Sequence, residues 1–165
     1  MTSVTDGSYR DRILGLLRGR EPLASLRESA LRIEAEARRL GPAGLDRSYA
    51  PGKWTGRQIV AHLADAEIGV GFRVRQALAE DNHTIQPFDE GAWSRRYVDV
   101  DAEAALRSFL ALRAWTLSLL GKLTPPELTR EAYHPERGPE TLDVMVRMLA
   151  GHDLNHLAQL EKIAV

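Results

Sequence analysis

Two histidines four residues apart, in Gly151-His152-Asp153-Leu154-Asn155-His156-Leu157, are the residues of this chain best placed to do chemistry. Four residues is about one helical turn, so in a helix both imidazoles leave the same face. That face also carries Leu142, Met145, Leu149, Leu160 and Ile163, at the spacing of a buried stripe. Polar rings in places that suit leucine are costly unless something satisfies them. A divalent cation bound to both would do so. A third histidine, His62, lies at the edge of a second apolar stripe: Ile59, Leu63, Ala66, Val70, Val74 and Ala77. One histidine on such a face is more often a core residue bonded to a carbonyl oxygen. Joined to His152 and His156, it makes three neutral imidazoles, which with an open position form the ligand set of a catalytic zinc ion. Nickel and iron suit imidazole also.

Asp65, three residues after His62, and Asp153, three before His156, border this face. Each either orients a ring through its second N–H or is a solvated carboxylate. Arg73 lies 11 residues after His62, roughly 20° around the helix from it. A guanidinium there requires an acidic partner or an anionic ligand, so it reads as a structural ion pair or a substrate contact. Glu80-Asp81-Asn82-His83 matches half of a di-iron carboxylate motif, but it occurs once, at a helix end, and reads as surface. The zinc-protease pattern His-Glu-x-x-His is absent, with Asp153 where its general base would stand.

The elements that must bring these residues together are helical, and no segment reads as a strand. Residues 1–7 are polar and expected to fray. A short extra helix spans Ser8 to Arg18, ended by Gly19 and Pro22. The first bundle helix runs from Leu23 to Leu40, with Leu26, Ala30, Ile33 and Ala37 on one face and Gly41-Pro42 as its stop. Thr55 caps the second, which continues to Asp81; residues 82–100 are irregular. Asp101 caps the third, which ends near Leu123 with Leu106, Phe109, Leu110, Leu117 and Leu120 among its apolar residues. Thr124-Pro125-Pro126-Glu127 starts a single turn, Tyr133 to Pro139 is a loop, and the fourth helix spans Glu140 to Ala164.

Four long helices without strands define an all-α four-helix bundle in one domain over residues 1–165. The irregular segment can extend roughly 60 Å, against roughly 40 Å for the second helix, so helices two and three can run parallel. At 1.5 Å per residue, His62 lies ~10 Å from the start of helix two and His156 ~12 Å from the end of helix four. Antiparallel packing of these two helices brings all three rings to one end of the bundle.

Composition narrows the function. At 165 residues, 44% hydrophobic and 27% charged with net charge −1, the chain lacks the basic excess of a nucleic-acid binder. It has no long apolar run and no signal-like N-terminus, so a cytoplasmic protein without membrane contact is expected. The absence of cysteine excludes disulfides and a cysteine nucleophile, and any thiol chemistry requires a thiol from outside.

The order of several stretches is informative: Pro51-Gly52-Lys53-Trp54-Thr55, Gln58 to Asp65, Ile85 to Trp93, Tyr133-His134-Pro135 and His152 to His156. In this order they resemble the DinB/YfiT-like superfamily of metal-binding four-helix bundles, and within it the YfiT branch, over about residues 23–163. The resemblance implies an up-down-down-up bundle and a homodimer, to which exposed apolar residues such as Trp115 are expected to contribute. It also implies that His62, His152 and His156 bind one divalent ion, zinc or nickel. Ala66-Glu67 stands where some relatives have a polar Ser-His-like stretch, which implies different pocket contacts.

The branch implies two activities. One, the first expectation, is a metal-dependent S-transferase that joins a low-molecular-weight thiol, bacillithiol-like, to an electrophilic small molecule; the charge of Arg73, apart from the resemblance, makes it a candidate to hold such a thiol's carboxylates. The other is a metal-dependent hydrolase using activated water, with Asp65, Asp153 and Glu67 as candidates for the base. A non-catalytic, metal-stabilised stress-response bundle is the third reading.

Overall fold

A computed structural model describes residues 6–164. The elements are α1 (Asp6–Gly15), α2 (Pro22–Leu45), α3 (Gly56–Ala79), α4 (Glu90–Ser94), α5 (Ala102–Leu120), α6 (Pro125–Leu128), β1 (Glu131–His134), β2 (Gly138–Thr141) and α7 (Leu142–Leu160). Each long helix begins where a side chain satisfies its free amides. Glu21 accepts from the Leu23 and Ala24 amides, with Pro22 opening α2. Thr55 and Gln58 form a reciprocal capping box on α3. Asp101 and Thr141 cap α5 and α7.

Helices α2, α3, α5 and α7 form the four-helix bundle, up-down-down-up. Arg39, late in α2, reaches the carbonyl oxygens of Leu160 and Ile163 past the end of α7. Arg57, at the start of α3, donates to the Val100 carbonyl just before α5 (2.7 Å). Arg38 of α2 pairs with Glu103 at the start of α5 (3.3 Å). Thus α2 and α7 run one way, and α3 and α5 the other.

The core divides into two apolar clusters along the bundle axis. One contains Ala30, Ile33, Leu40, Ile59, Leu63, Phe109, Leu157 and Leu160. The other contains Leu26, Val74, Ile85, Leu120, Leu142, Met145 and Leu149. Between them lies a layer of buried polar residues to which every bundle helix contributes, Ser29, Glu67, Arg113 and Asp153 among them. The apolar stripes expected from the sequence face the core on all four helices, with Val70, Leu110 and Leu117 only partly buried.

The structure corrects the expectation of no strands. β1 and β2 pair antiparallel, from Glu131↔Thr141 to His134↔Gly138, around a turn whose Gly138 has φ +79°. Residues 83–85 join this hairpin, since the Tyr133 amide donates to the His83 carbonyl and the Ile85 amide to the Tyr133 carbonyl, both at 2.8 Å. Four-residue strands, with Pro135 just after β1 and Pro139 inside β2, give too short an alternation to read from sequence. The irregular stretch also contains α4.

Boundaries shift elsewhere. α1 ends at Gly15 rather than Arg18, because Arg18 and Gly19 both take positive φ. Gly41 breaks α2 (φ 60°), but one further turn follows to Leu45. α7 starts at Leu142 and ends at Leu160, short of Ala164. The expected frayed segment falls, for residues 1–5, outside the described residues; Asp6 and Gly7 already belong to α1. No helix among the described residues is long and apolar enough to cross a membrane.

α1 packs against α7 through Gly151, next to His152. A Cβ at position 151 would overlap the Ile13 carbonyl oxygen and lie 2.9 Å from the carbonyl carbon. Arg12 adds a hydrogen bond to Asn155 (2.9 Å). Glycine inside a helix normally costs about 1 kcal/mol relative to alanine, so its use here reflects this close approach. Gly151→Ala is expected to destabilise the protein by about 1–3 kcal/mol despite the gain in helix propensity. Urea denaturation measures this, and a stabilised variant would show that α1 does not dock there.

Candidate metal centre

His62 projects from α3, and His152 and His156 from successive turns of α7. The antiparallel run of these helices brings the rings together, with a ligand nitrogen from each within 4.8 Å of the others. Ring centroids are 4.9 Å apart for His62 and His152, 4.8 Å for His62 and His156, and 4.4 Å for His152 and His156. Trp54, just before the α3 cap, stacks on His156 at 6.1 Å with an interplanar angle of 11° and tilts against His62 at 4.9 Å. Tyr97 closes the same side, 6.5 Å from His62.

Burial drives all three imidazoles toward the neutral form. The His62 pKa falls from 6.5 to about 3, through burial and then His156. That of His156 falls to about 4, because burial outweighs the Gln159 hydrogen bond and the Asp153 charge. His152 is held well below its ordinary value by burial, then His156, His62 and Arg113.

The rings fit a divalent cation. Gln159 Oε1 lies 2.8 Å from His156 Nδ1, so Nδ1 is the donor and Nε2 keeps its lone pair. His62 Nε2 and His152 Nε2 approach to 2.8 Å, whereas Nδ1 of both rings is buried without a partner. Among the described residues that mutual contact is therefore the one hydrogen bond either ring makes, and it satisfies a single lone pair. Nitrogens bonded to tetrahedral zinc at 2.0–2.1 Å lie roughly 3.3 Å apart, close to this spacing.

Beside the cluster opens a cavity of about 380 Å³, within the usual size range of small-molecule sites. His62 and His152 form part of its wall, with Val70, Phe88, Met145 and Met148 as apolar lining. Glu90, the first residue of α4, also lines it and places Oε1 3.6 Å from His62 Nε2. Burial pushes the Glu90 carboxyl above its usual range. Arg73 lines it too, half-buried, donating to the Gln86 carbonyl (3.1 Å) with Phe88 against its guanidinium. Arg73 makes no ion pair among the described residues, so the structural ion pair expected for it is not formed.

The carboxylates expected beside the rings are occupied elsewhere. Asp65 accepts from the Tyr97 hydroxyl (2.7 Å). Asp153 faces Arg113, which binds it through two nitrogens at 2.5 and 3.0 Å, and also accepts from Ser29 (2.5 Å). Neither bonds a histidine ring, because the α7 face that bears Asp153 looks into the polar layer instead. Glu67 is likewise held by Arg113, at 2.6 Å, rather than facing the cavity. Glu80 and His83 pair with each other at 2.9 Å, apart from the cluster.

Sequence reading missed Arg113, Glu90 and Gln159. Arg113 did carry a signal, since it falls in register with Leu106, Phe109, Leu110, Leu117 and Leu120 on a core-facing stripe. Burial lowers its pKa, but Asp153 and then Glu67 more than offset this, so the guanidinium stays charged. Glu90 lies in a loop with no periodic context, and only folding places it beside His62.

A bundle of this topology with three histidines converging beside a cavity defines a class of helical proteins equipped for a metal ion. The model of the DinB superfamily matches residues 25–160, and the chain belongs to that superfamily. A "putative metal-dependent hydrolase" of Oceanobacillus iheyensis is 35% identical over 120 residues, covering 72% of this chain and 70% of that protein. YfiT of Bacillus subtilis, also named a "putative metal-dependent hydrolase", is 34% identical over 125 residues, covering 73% and 69%. The YfiT structure, described as "a probable metal-dependent hydrolase with an unusual four-helix bundle topology", superposes with a TM-score of 0.79 at 29% identity over 85% of this chain and 82% of that one.

Two outcomes follow from the site's electrostatics. Arg113→Ala strands two buried carboxylates and is expected to cost about 3–5 kcal/mol in chemical denaturation; a loss below ~1 kcal/mol would refute the ion cluster. For the histidines, the unfolded chain binds more protons than the folded one below pH ~6.5, so stability falls as pH drops toward the folded values of about 3 to 4. At one unit below the unfolded pKa each contributes a loss of about 1.4 kcal/mol. Metal-free His156→Gln should therefore lose about 1.4 kcal/mol less than wild type between pH 7.5 and 5.5. Equal losses would show that His156 is not held neutral.

Proposed function

We propose that this chain is a metal-dependent hydrolase in which His62, His152 and His156 hold one divalent ion, zinc or nickel, at the inner end of the cavity. The observation that carries this reading is the convergence of three neutral imidazoles beside a carboxylate, Glu90, at the wall of one pocket. A divalent ion supplies Lewis acidity there, lowering the pKa of a bound nucleophile and polarising the group attacked. Glu90 is the base: its Oε1 takes a proton from the attacking water and returns it to the leaving group as the ester or amide bond breaks. Its position 3.6 Å from His62 Nε2 leaves it close to the ligand atoms without occupying them. Trp54 and Tyr97 shield the side of the histidines away from the cavity, while Val70, Phe88 and Met145 receive the apolar part of a substrate. The relatives' names support the hydrolase class.

A second reading uses the same residues. With an external thiol such as a bacillithiol-like molecule in place of water, the site would transfer sulfur to an electrophilic carbon. The observation favouring it is Arg73, a cavity-lining cation without an ion pair among the described residues, which suits an anionic thiol.

Metal analysis of the purified protein is expected to give one ion per chain, and His152→Ala with His156→Ala should abolish it. Glu90→Gln should retain the ion yet lower ester or amide turnover by about 10²–10⁴-fold. Turnover only with added thiol, yielding thioether, would establish the transferase instead. Full metal content in the double histidine variant would refute the site.

A further inference from the structure

The hairpin brings a second set of polar groups to the pocket. His134, Arg137 and Glu140, from β1, the turn and β2, all line the cavity together with Arg73 of α3. None of them was absorbed by the hydrolytic machinery. Their arrangement has a definite charge balance. Glu140 accepts from Arg137 through both oxygens, at 2.6 and 3.0 Å, so these two charges offset one another. Among the described residues Arg73 hydrogen-bonds the Gln86 carbonyl and has Phe88 against its plane, and no carboxylate pairs with it directly. Partial burial and the nearby Arg137 both disfavour that charge, while Glu140 favours it.

His134 adds a donor. The Glu136 amide donates to His134 Nδ1 (3.2 Å), so the proton of the neutral ring resides on Nε2. That ring is neutral at physiological pH, because burial and then Arg137 lower its pKa. Among the described residues Nε2 makes no hydrogen bond, and the residue lines the cavity wall. A guanidinium that no carboxylate pairs with directly and a free N–H in one wall match a group with one negative charge and two acceptor oxygens. Dianions are less well served, since three guanidiniums, Arg73, Arg137 and the Arg10 that acts on Glu140, meet two carboxylates, Glu140 and Glu136, and leave a single net positive charge.

We infer that Arg73 and His134 form a carboxylate-binding subsite at the hairpin wall of the cavity, so that the substrate is an ester or amide bearing a carboxylate remote from the bond that is cleaved. This rests on the hydrolase reading for the word substrate, but the subsite itself is a property of residues distinct from the three histidines.

Calorimetric titration of the protein as purified, with hexanoate, hexanamide and hexyl phosphate as probes, tests it. Hexanoate is expected to bind about tenfold or more tighter than hexanamide. Arg73→Gln should erase that preference without changing metal content, and Arg73→Lys should retain part of it, which separates loss of charge from loss of fold. His134→Asn keeps an acceptor for the Glu136 amide, but its shorter side chain brings no donor to the position of Nε2, and it should weaken hexanoate about threefold. His156→Ala, which removes a proposed metal ligand, should leave the preference intact. Retained hexanoate preference with no turnover of any ester or amide would sink the hydrolase reading and leave the subsite standing. Equal or undetectable binding of hexanoate and hexanamide, or a preference that disappears with His156→Ala but survives Arg73→Gln, overturns the subsite. Tighter, Arg73-dependent binding of hexyl phosphate overturns the choice of carboxylate.

Discussion

The Arg113 guanidinium touches all four bundle helices at once, and the placement of the histidines depends on it. It projects from α5, binds Asp153 of α7 through two nitrogens and Glu67 of α3, and donates to the Leu26 carbonyl of α2. Ser29 of α2 completes the layer by donating to Asp153. A buried ion cluster of this kind seldom adds stability relative to a well-packed apolar layer. What it supplies is register: a charged fork and two carboxylates meet in few arrangements, whereas leucines slide. Asp153 is the neighbour of His152, and Glu67 lies just over one turn beyond His62, so fixing those two carboxylates fixes the axial positions of α3 and α7.

The division of labour between regular and irregular parts follows from this. The histidines stand on the rigid bundle, whose apolar clusters above and below the polar layer leave little freedom to α3 and α7. The groups expected to meet a substrate stand largely on short elements: Glu90 on the five-residue α4, and His134, Arg137 and Glu140 on the hairpin. Such elements carry little hydrophobic anchoring and tolerate sequence change. A superfamily built this way can keep one metal-binding geometry while varying what approaches it.

How much of this is legible in the sequence depends on range. The bundle helices follow from 3.6-residue periodicity and from capping residues such as Thr55 and Asp101, and their apolar stripes are the buried faces. The meeting of His62 with His152 and His156 follows from helix direction and rise alone. Tertiary pairings were out of reach. Asp65 and Asp153 were placed on the right edge of their helices, yet their partners, Tyr97 and Arg113, lie 32 and 40 positions away. The hairpin was missed because strands of four residues, one of them containing Pro139, carry no usable period. Arg113 stood in a leucine stripe, where an arginine signals a buried partner that only the fold identifies.

The charges along the pocket axis are arranged in opposition. At the inner end, three uncharged rings offer lone pairs, and beneath them Arg113 is outnumbered by Glu67 and Asp153. Even with burial pushing the Glu67 carboxyl up, Asp153 alone balances the guanidinium, so a divalent cation at the rings meets no net positive field from below. At the hairpin wall the balance reverses, because Glu140 offsets Arg137 and, among the described residues, no carboxylate pairs with Arg73 directly. A molecule with an electron-rich reacting group at one end and a negative charge at the other is attracted by both ends simultaneously. Turned around, it would set its charge against Glu90 beside the cation and leave Arg73 facing a neutral end. With the proposed ion and carboxylate subsite, the pocket would select orientation as well as charge before any bond is made or broken.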